Sequence, residues 1–125
     1  MTKLELDKFE QKLESKGYKK YPSIHNADYA WYKGFHRGAY EEGRPAYQVC
    51  FNIYDWTPYK HRDPALNDKY SAAALVLVSR TIDERLDLDI SLSANIDTIE
   101  VLAESFYQWV EQNVKYKKGI LCQQD

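Results

Sequence analysis

The chain has 125 residues, enough for one domain with one core, and its 44% hydrophobic and 29% charged residues are the balance of a folded protein, not a disordered one. A formal net charge of −2 provides no overall attraction to nucleic acid or to an anionic membrane surface. No apolar run approaches the roughly 20 residues of a membrane-spanning helix.

The charged start, Met1-Thr2-Lys3-Leu4-Glu5, contains no signal-peptide core. Cys50 and Cys122 form no metal-binding or redox spacing, so two free thiols and a cytoplasmic location are expected. Eleven tyrosines and three tryptophans suit sheet packing and interfaces alike.

Thr2 followed by Glu5 predicts a capping box, in which each side chain satisfies a backbone N–H left free by the first helical turn. Leu6, Phe9 and Leu13 recur at helical spacing, and Gly17 stands where a left-handed stop is needed, with Tyr18 available to contact Leu13. Tyr18 to Tyr21 predicts a short strand ended by Pro22. A second strand is expected where Tyr29, Trp31, Lys33 and Phe35 alternate with Ala30, Tyr32 and Gly34. Gly38 and Gly43 bracket a hairpin loop, and a third strand starts after Pro45 with Tyr47, Val49, Phe51 and Ile53 on one face.

The segment from Asp55 to Tyr70 has no period and is expected to be a long connection pinned by Trp56 and Tyr59, with Asp63-Pro64 opening one helical turn. Ala72 to Val78 is an uncharged run suited to a strand buried on both faces. Leu86, Leu88, Ile90 and Leu92 then alternate with Asp87, Asp89, Ser91 and Ser93, which predicts a half-buried strand paired with that run. In the last helix Asp97 and Glu100 fit a capping box and Ile96 with Val101 a hydrophobic staple. Its stripe is Ile99, Leu102, Ala103, Phe106, Trp109, Val110 and Asn113, with Trp109 expected in the core. Lys115-Tyr116-Lys117-Lys118 would complement the dipole at its end, and Gly119 would stop it.

These elements predict an α+β domain over residues 1–119 and a frayed tail over 120–125. It would hold a single antiparallel sheet of about five strands with the N- and C-terminal helices packed on one face, in the order α-β-β-β-long loop-β-β-α. That order resembles the secretion-chaperone-like α+β architecture used by bacterial effector chaperones and several other small proteins. The resemblance is one of element order and carries no residue across.

If both helices cover one face, the other carries Tyr32, Gln48, Cys50, Asn52, Tyr54, Asp87, Asp89 and alternate members of the apolar run. A strand apolar on both faces needs cover on both, which favours a non-enzymatic protein-binding or adaptor module acting through an open sheet face. Its expected contact residues are Tyr32, Tyr54, Trp56, Tyr59, His61 and Arg62, its partner another protein or a second copy in a homodimer, and no cofactor or metal is expected.

An alternative is a small enzyme or metal-binding domain using His61, Asp63 and the Asp87/Asp89 pair. The histidines have acidic neighbours (His25 before Asp28, His36 before Glu41 and Glu42), but none matches a helical zinc-site spacing. A third reading, nucleic-acid binding, rests on basic residues interleaved with aromatics at 16–21, 59–62 and 115–118, and the acidic balance argues against it.

Overall fold

The computed structural model describes residues 1–22, 26–37, 45–79, 85–90 and 95–114. Helix α1 (Lys3–Ser15) is followed by strands β1 (Lys19–Tyr21), β2 (Tyr29–Arg37) and β3 (Pro45–Asp55). Two 3-10 turns, Thr57–Tyr59 and Pro64–Leu66, precede β4 (Tyr70–Ser79), β5 (Arg85–Ile90) and α2 (Ile96–Asn113). The five strands form one open antiparallel sheet in the order β1-β2-β3-β4-β5. Among the described residues no helix is long and apolar enough to cross a membrane.

Strands β3 and β4 are buried on both faces over much of their length. In β3, Tyr47, Val49, Phe51 and Ile53 form one buried row, and Ala46, Cys50 and Asn52 are buried on the other. In β4, Ala74, Val76 and Val78 alternate with Leu75 and Leu77, all buried. Directly opposed residues of an antiparallel pair share a face. Val76 therefore shares its face with Leu88, and Leu77 shares the other with exposed Asp87. The expectation of an open second face is thus corrected for Cys50, Asn52, Leu75 and Leu77, which are buried.

The chain divides into two compact units, Met1–Lys33 with Phe51–Ala73, and Gly34–Cys50 with Ala74–Asp125. In the first, the capping box of α1 forms as its sequence dictates. Thr2 Oγ1 accepts from the Glu5 N–H at 3.2 Å, and Glu5 Oε1 accepts from the Thr2 N–H at 2.7 Å. Gly17 takes φ +94°, the Tyr18 N–H donates to the Leu13 carbonyl, and the Gly17 N–H donates to the Glu14 carbonyl, which together make a Schellman stop. Leu6 and Leu13 are buried, and Phe9 meets Phe51 of β3 edge to face at 5.5 Å.

In the second unit α2 lies over β3 through Tyr47, whose ring stacks with Tyr107 at 5.1 Å. Gly34 of β2 is held against Pro45, where a Cβ would fall 2.8 Å from the proline Cβ, closer than packed carbons come. Two expectations for α2 are corrected. Its N-cap is Asn95, whose side chain accepts from the Thr98 N–H at 2.7 Å, so Asp97 lies inside the first turn and Val101 is exposed, not stapled. The buried row is Ile96, Ile99, Ala103 and Val110, while Leu102 is exposed and Trp109 is 54% exposed. The helix ends at Asn113, and residues 115–119, which were expected to close it, lie outside the described residues with the 120–125 tail.

These positions separate core from surface in a testable way. Phe51→Ala should cost about 3–5 kcal/mol by emptying a buried aromatic site, and Asn95→Ala about 1 kcal/mol through the lost cap. Trp109→Ala should cost about 1 kcal/mol or less. Equilibrium denaturation of the three variants checks the ranking, and a Trp109 loss as large as that of Phe51 would contradict it.

Candidate functional site

The face of the first unit away from α1 is fixed by two carboxylate contacts. Tyr29 Oη and Trp31 Nε1 both donate to Glu10 Oε2 on α1, at 2.6 and 2.8 Å. Alternation along β2 then points Ala30 and Tyr32 the opposite way. Phe51 faces α1, so Asn52 and Tyr54 of β3 also point away from it. Tyr21 of β1 stands opposite Ala30 and joins the same face, its ring 5.6 Å from that of Tyr32.

The row continues past the end of β3. Trp56 stacks on Tyr54 at 6.2 Å and meets Tyr59 at 6.3 Å. Trp56 Nε1 donates to Ser71 Oγ at 2.8 Å, so the indole has its one polar group satisfied while its ring stays 37% exposed. Tyr59 is 47% and Tyr21 49% exposed. The result is an exposed aromatic row on the side of the first unit away from α1, with the chemistry of a contact surface.

The segment between β3 and β4 is pinned by hydrogen bonds. Asp55 Oδ1 accepts from both the N–H and the hydroxyl of Thr57, at 2.9 and 2.6 Å. The carbonyl of Tyr59 accepts from the N–H groups of Arg62 and Asp63, and the Trp56 N–H donates to the Lys69 carbonyl across the segment. Asp63 Oδ1 accepts from the Ala65 N–H, capping the 3-10 turn expected at Pro64. Lys3 N–H donates to Asp68 Oδ1 at 2.8 Å and joins the segment to the start of α1.

Of the residues singled out in the sequence, Tyr54, Trp56 and Tyr59 come together, and Tyr32 lies on the same face beside Tyr21. Arg62 is exposed in the turn that follows Tyr59. His61 is exposed, with Nδ1 3.0 Å from the carbonyl oxygen of Pro58. His61 and Asp63 are thus each engaged with their own turn, and Asp87 is exposed on β5, while the side chain of Asp89 lies outside the described residues, as does His25. Among the described residues no group of three or more His, Cys, Asp or Glu side chains is placed to hold a metal ion.

The second unit contains a carboxylate cluster that no spacing rule anticipates. Glu104 Oε1 accepts from Tyr47 Oη at 2.6 Å and lies 3.0 Å from His36 Nε2, and Gln108 Nε2 donates to Oε2 at 2.9 Å. His36 has φ +56°, the left-handed region where histidine is among the commoner non-glycine residues, and its ring stacks on Tyr107 at 5.9 Å. The expected neighbours of His36, Glu41 and Glu42, lie outside the described residues.

The hydrogen bond from Tyr47, followed by those from Gln108 and His36, holds the Glu104 carboxyl at a pKa of about 2. Burial and the Glu104 carboxylate push the Tyr47 phenol well above its ordinary value. A carboxylate this weakly basic and a phenol this weakly acidic are poorly matched to proton transfer near neutrality. Burial and the Glu10 hydrogen bond raise Tyr29 in the same way. Glu10 and Glu104 each fasten a helix to strand aromatics through hydrogen bonds to a carboxylate.

The Glu104 contacts lead to a pH prediction. Its folded pKa lies below the ordinary carboxyl value of 4.5, so the ionised group stabilises the fold above pH 4.5, and that contribution is lost as pH falls through about 2. Between those values the melting temperature of wild type should fall more steeply than that of Glu104→Gln, and equal slopes would contradict the cluster's role. Comparison of the chain with protein-family models, with curated proteins and with solved structures finds no match.

Proposed function

We propose that this chain is a non-enzymatic protein-binding or adaptor module of the cytoplasm, engaging its partner through the helix-free face of the first unit. The observation that carries this reading is Trp56. Its N–H is already satisfied by Ser71, yet its ring remains exposed between Tyr54 and Tyr59. Exposed tryptophan and tyrosine are the side chains most enriched at the centres of protein interfaces. Their rings add contact area at low entropic cost, and tyrosine hydroxyls can satisfy polar groups of a partner. Cys50, buried and in no disulfide, suits a reducing compartment. A second copy of the chain is one form this partner could take.

A photo-crosslinking phenylalanine analogue placed at Tyr59 should trap one discrete protein adduct in the native host, and Trp56→Ala should abolish it. The same analogue at Trp109, exposed on α2, should not trap that adduct. An adduct of twice the chain's mass would identify self-association. No adduct at Tyr59, or the same adduct from both positions, would overturn the proposal.

A further inference from the structure

We propose that the partner of this face is an acidic protein segment, in which Asp or Glu residues flank an apolar or aromatic side chain. This inference rests on the binding face proposed above and adds its charge preference. The segment between β3 and β4 carries three cations and two carboxylates, and Asp55 at the end of β3 adds a third carboxylate beside it. Asp55 turns its carboxylate to Thr57, Asp63 to the Ala65 N–H, and Asp68 to the Lys3 N–H. Each of these carboxylates keeps its charge but directs one oxygen at a neutral donor of its own fold, which favours the ionised form.

Lys60, Arg62 and Lys69 are exposed and have no ion-pair partner among the described residues. Their backbone places them around the aromatic row. Lys60 follows Tyr59 directly, the Arg62 N–H donates to the Tyr59 carbonyl, and the Lys69 carbonyl accepts from the Trp56 N–H. Apolar contact in the middle and unpaired cations at the edge form the layout of an interface with a polar rim. Rim cations attract a partner of opposite charge and exclude one of like charge.

One feature favours a protein segment over a nucleic-acid strand: single-stranded nucleic acid is held by a cationic groove that follows many successive phosphates, and these three cations border one aromatic row.

Selection of random dodecapeptides on the purified full chain tests this directly. Peptides rich in Asp and Glu around a Leu, Phe or Trp should be enriched, and Trp56→Ala should abolish their binding. The combined charge reversal Lys60→Glu, Arg62→Glu and Lys69→Glu should weaken them about tenfold or more. Weakening of wild-type binding by added salt gives the same information without a substitution. Neutral peptides that need Trp56 but ignore the charge reversal would overturn the acidic preference and leave the binding face standing. Peptides indifferent to Trp56 would remove the face itself. Trp56-dependent binding of an oligothymidylate without any such peptide, or Trp56-dependent self-association in sedimentation, would assign the face to a different occupant and overturn the proposal.

Discussion

Burial of β3 on both rows is the constraint on which the rest of this fold depends. A strand that buries Phe51 and Ile53 on one side and Cys50 and Asn52 on the other has to be central in its sheet and covered over most of its length. Full burial is difficult for the aromatic residues that help build such a sheet, because tyrosine and tryptophan carry a polar atom that needs a partner. Each helix supplies one. Glu10 accepts from Tyr29 and Trp31, and Glu104 accepts from Tyr47. Helix placement and aromatic satisfaction are solved by the same carboxylates, so losing either leaves half-buried donors unpaired.

Against that background the aromatics at the end of β3 stand out. Tyr54, Trp56 and Tyr59 are arranged by ring contacts and by the Trp56–Ser71 hydrogen bond, but no helix covers them in the first unit. The turn that carries Tyr59 is closed by side-chain and backbone hydrogen bonds, so the exposed rings sit on a pinned support and not on a free loop. Preorganised aromatic surface of this kind lowers the entropic cost of association.

Local signals were legible in the sequence and distant ones were not. Thr2, Glu5 and Gly17 define α1 because a capping box and a Schellman stop each lie within a few residues. Strand alternation around Tyr47–Ile53 and Leu86–Leu92 predicted β3 and β5 for the same reason. The α2 cap was misplaced because Asp97-x-x-Glu100 matches the box pattern, whereas the helix starts at Ile96 with the Asn95 side chain as its cap. Trp109 was misjudged because an apolar stripe wider than the sheet contact does not reveal which edge stays in water. His36 and Glu104 are 68 positions apart, and Trp56 and Ser71 are 15 apart, so no spacing rule could pair them.

Exposure of Trp56 in the isolated chain, set beside exposure of Trp109, provides the most direct test of a face reserved for a partner. Oxidative footprinting of both residues can be compared between the purified protein and cells of the native host. A reserved face predicts that Trp56 and Tyr59 lose reactivity in cells while Trp109 keeps it. Equal reactivity of Trp56 in both settings, or protection of Trp109 in place of Trp56, would contradict the central claim.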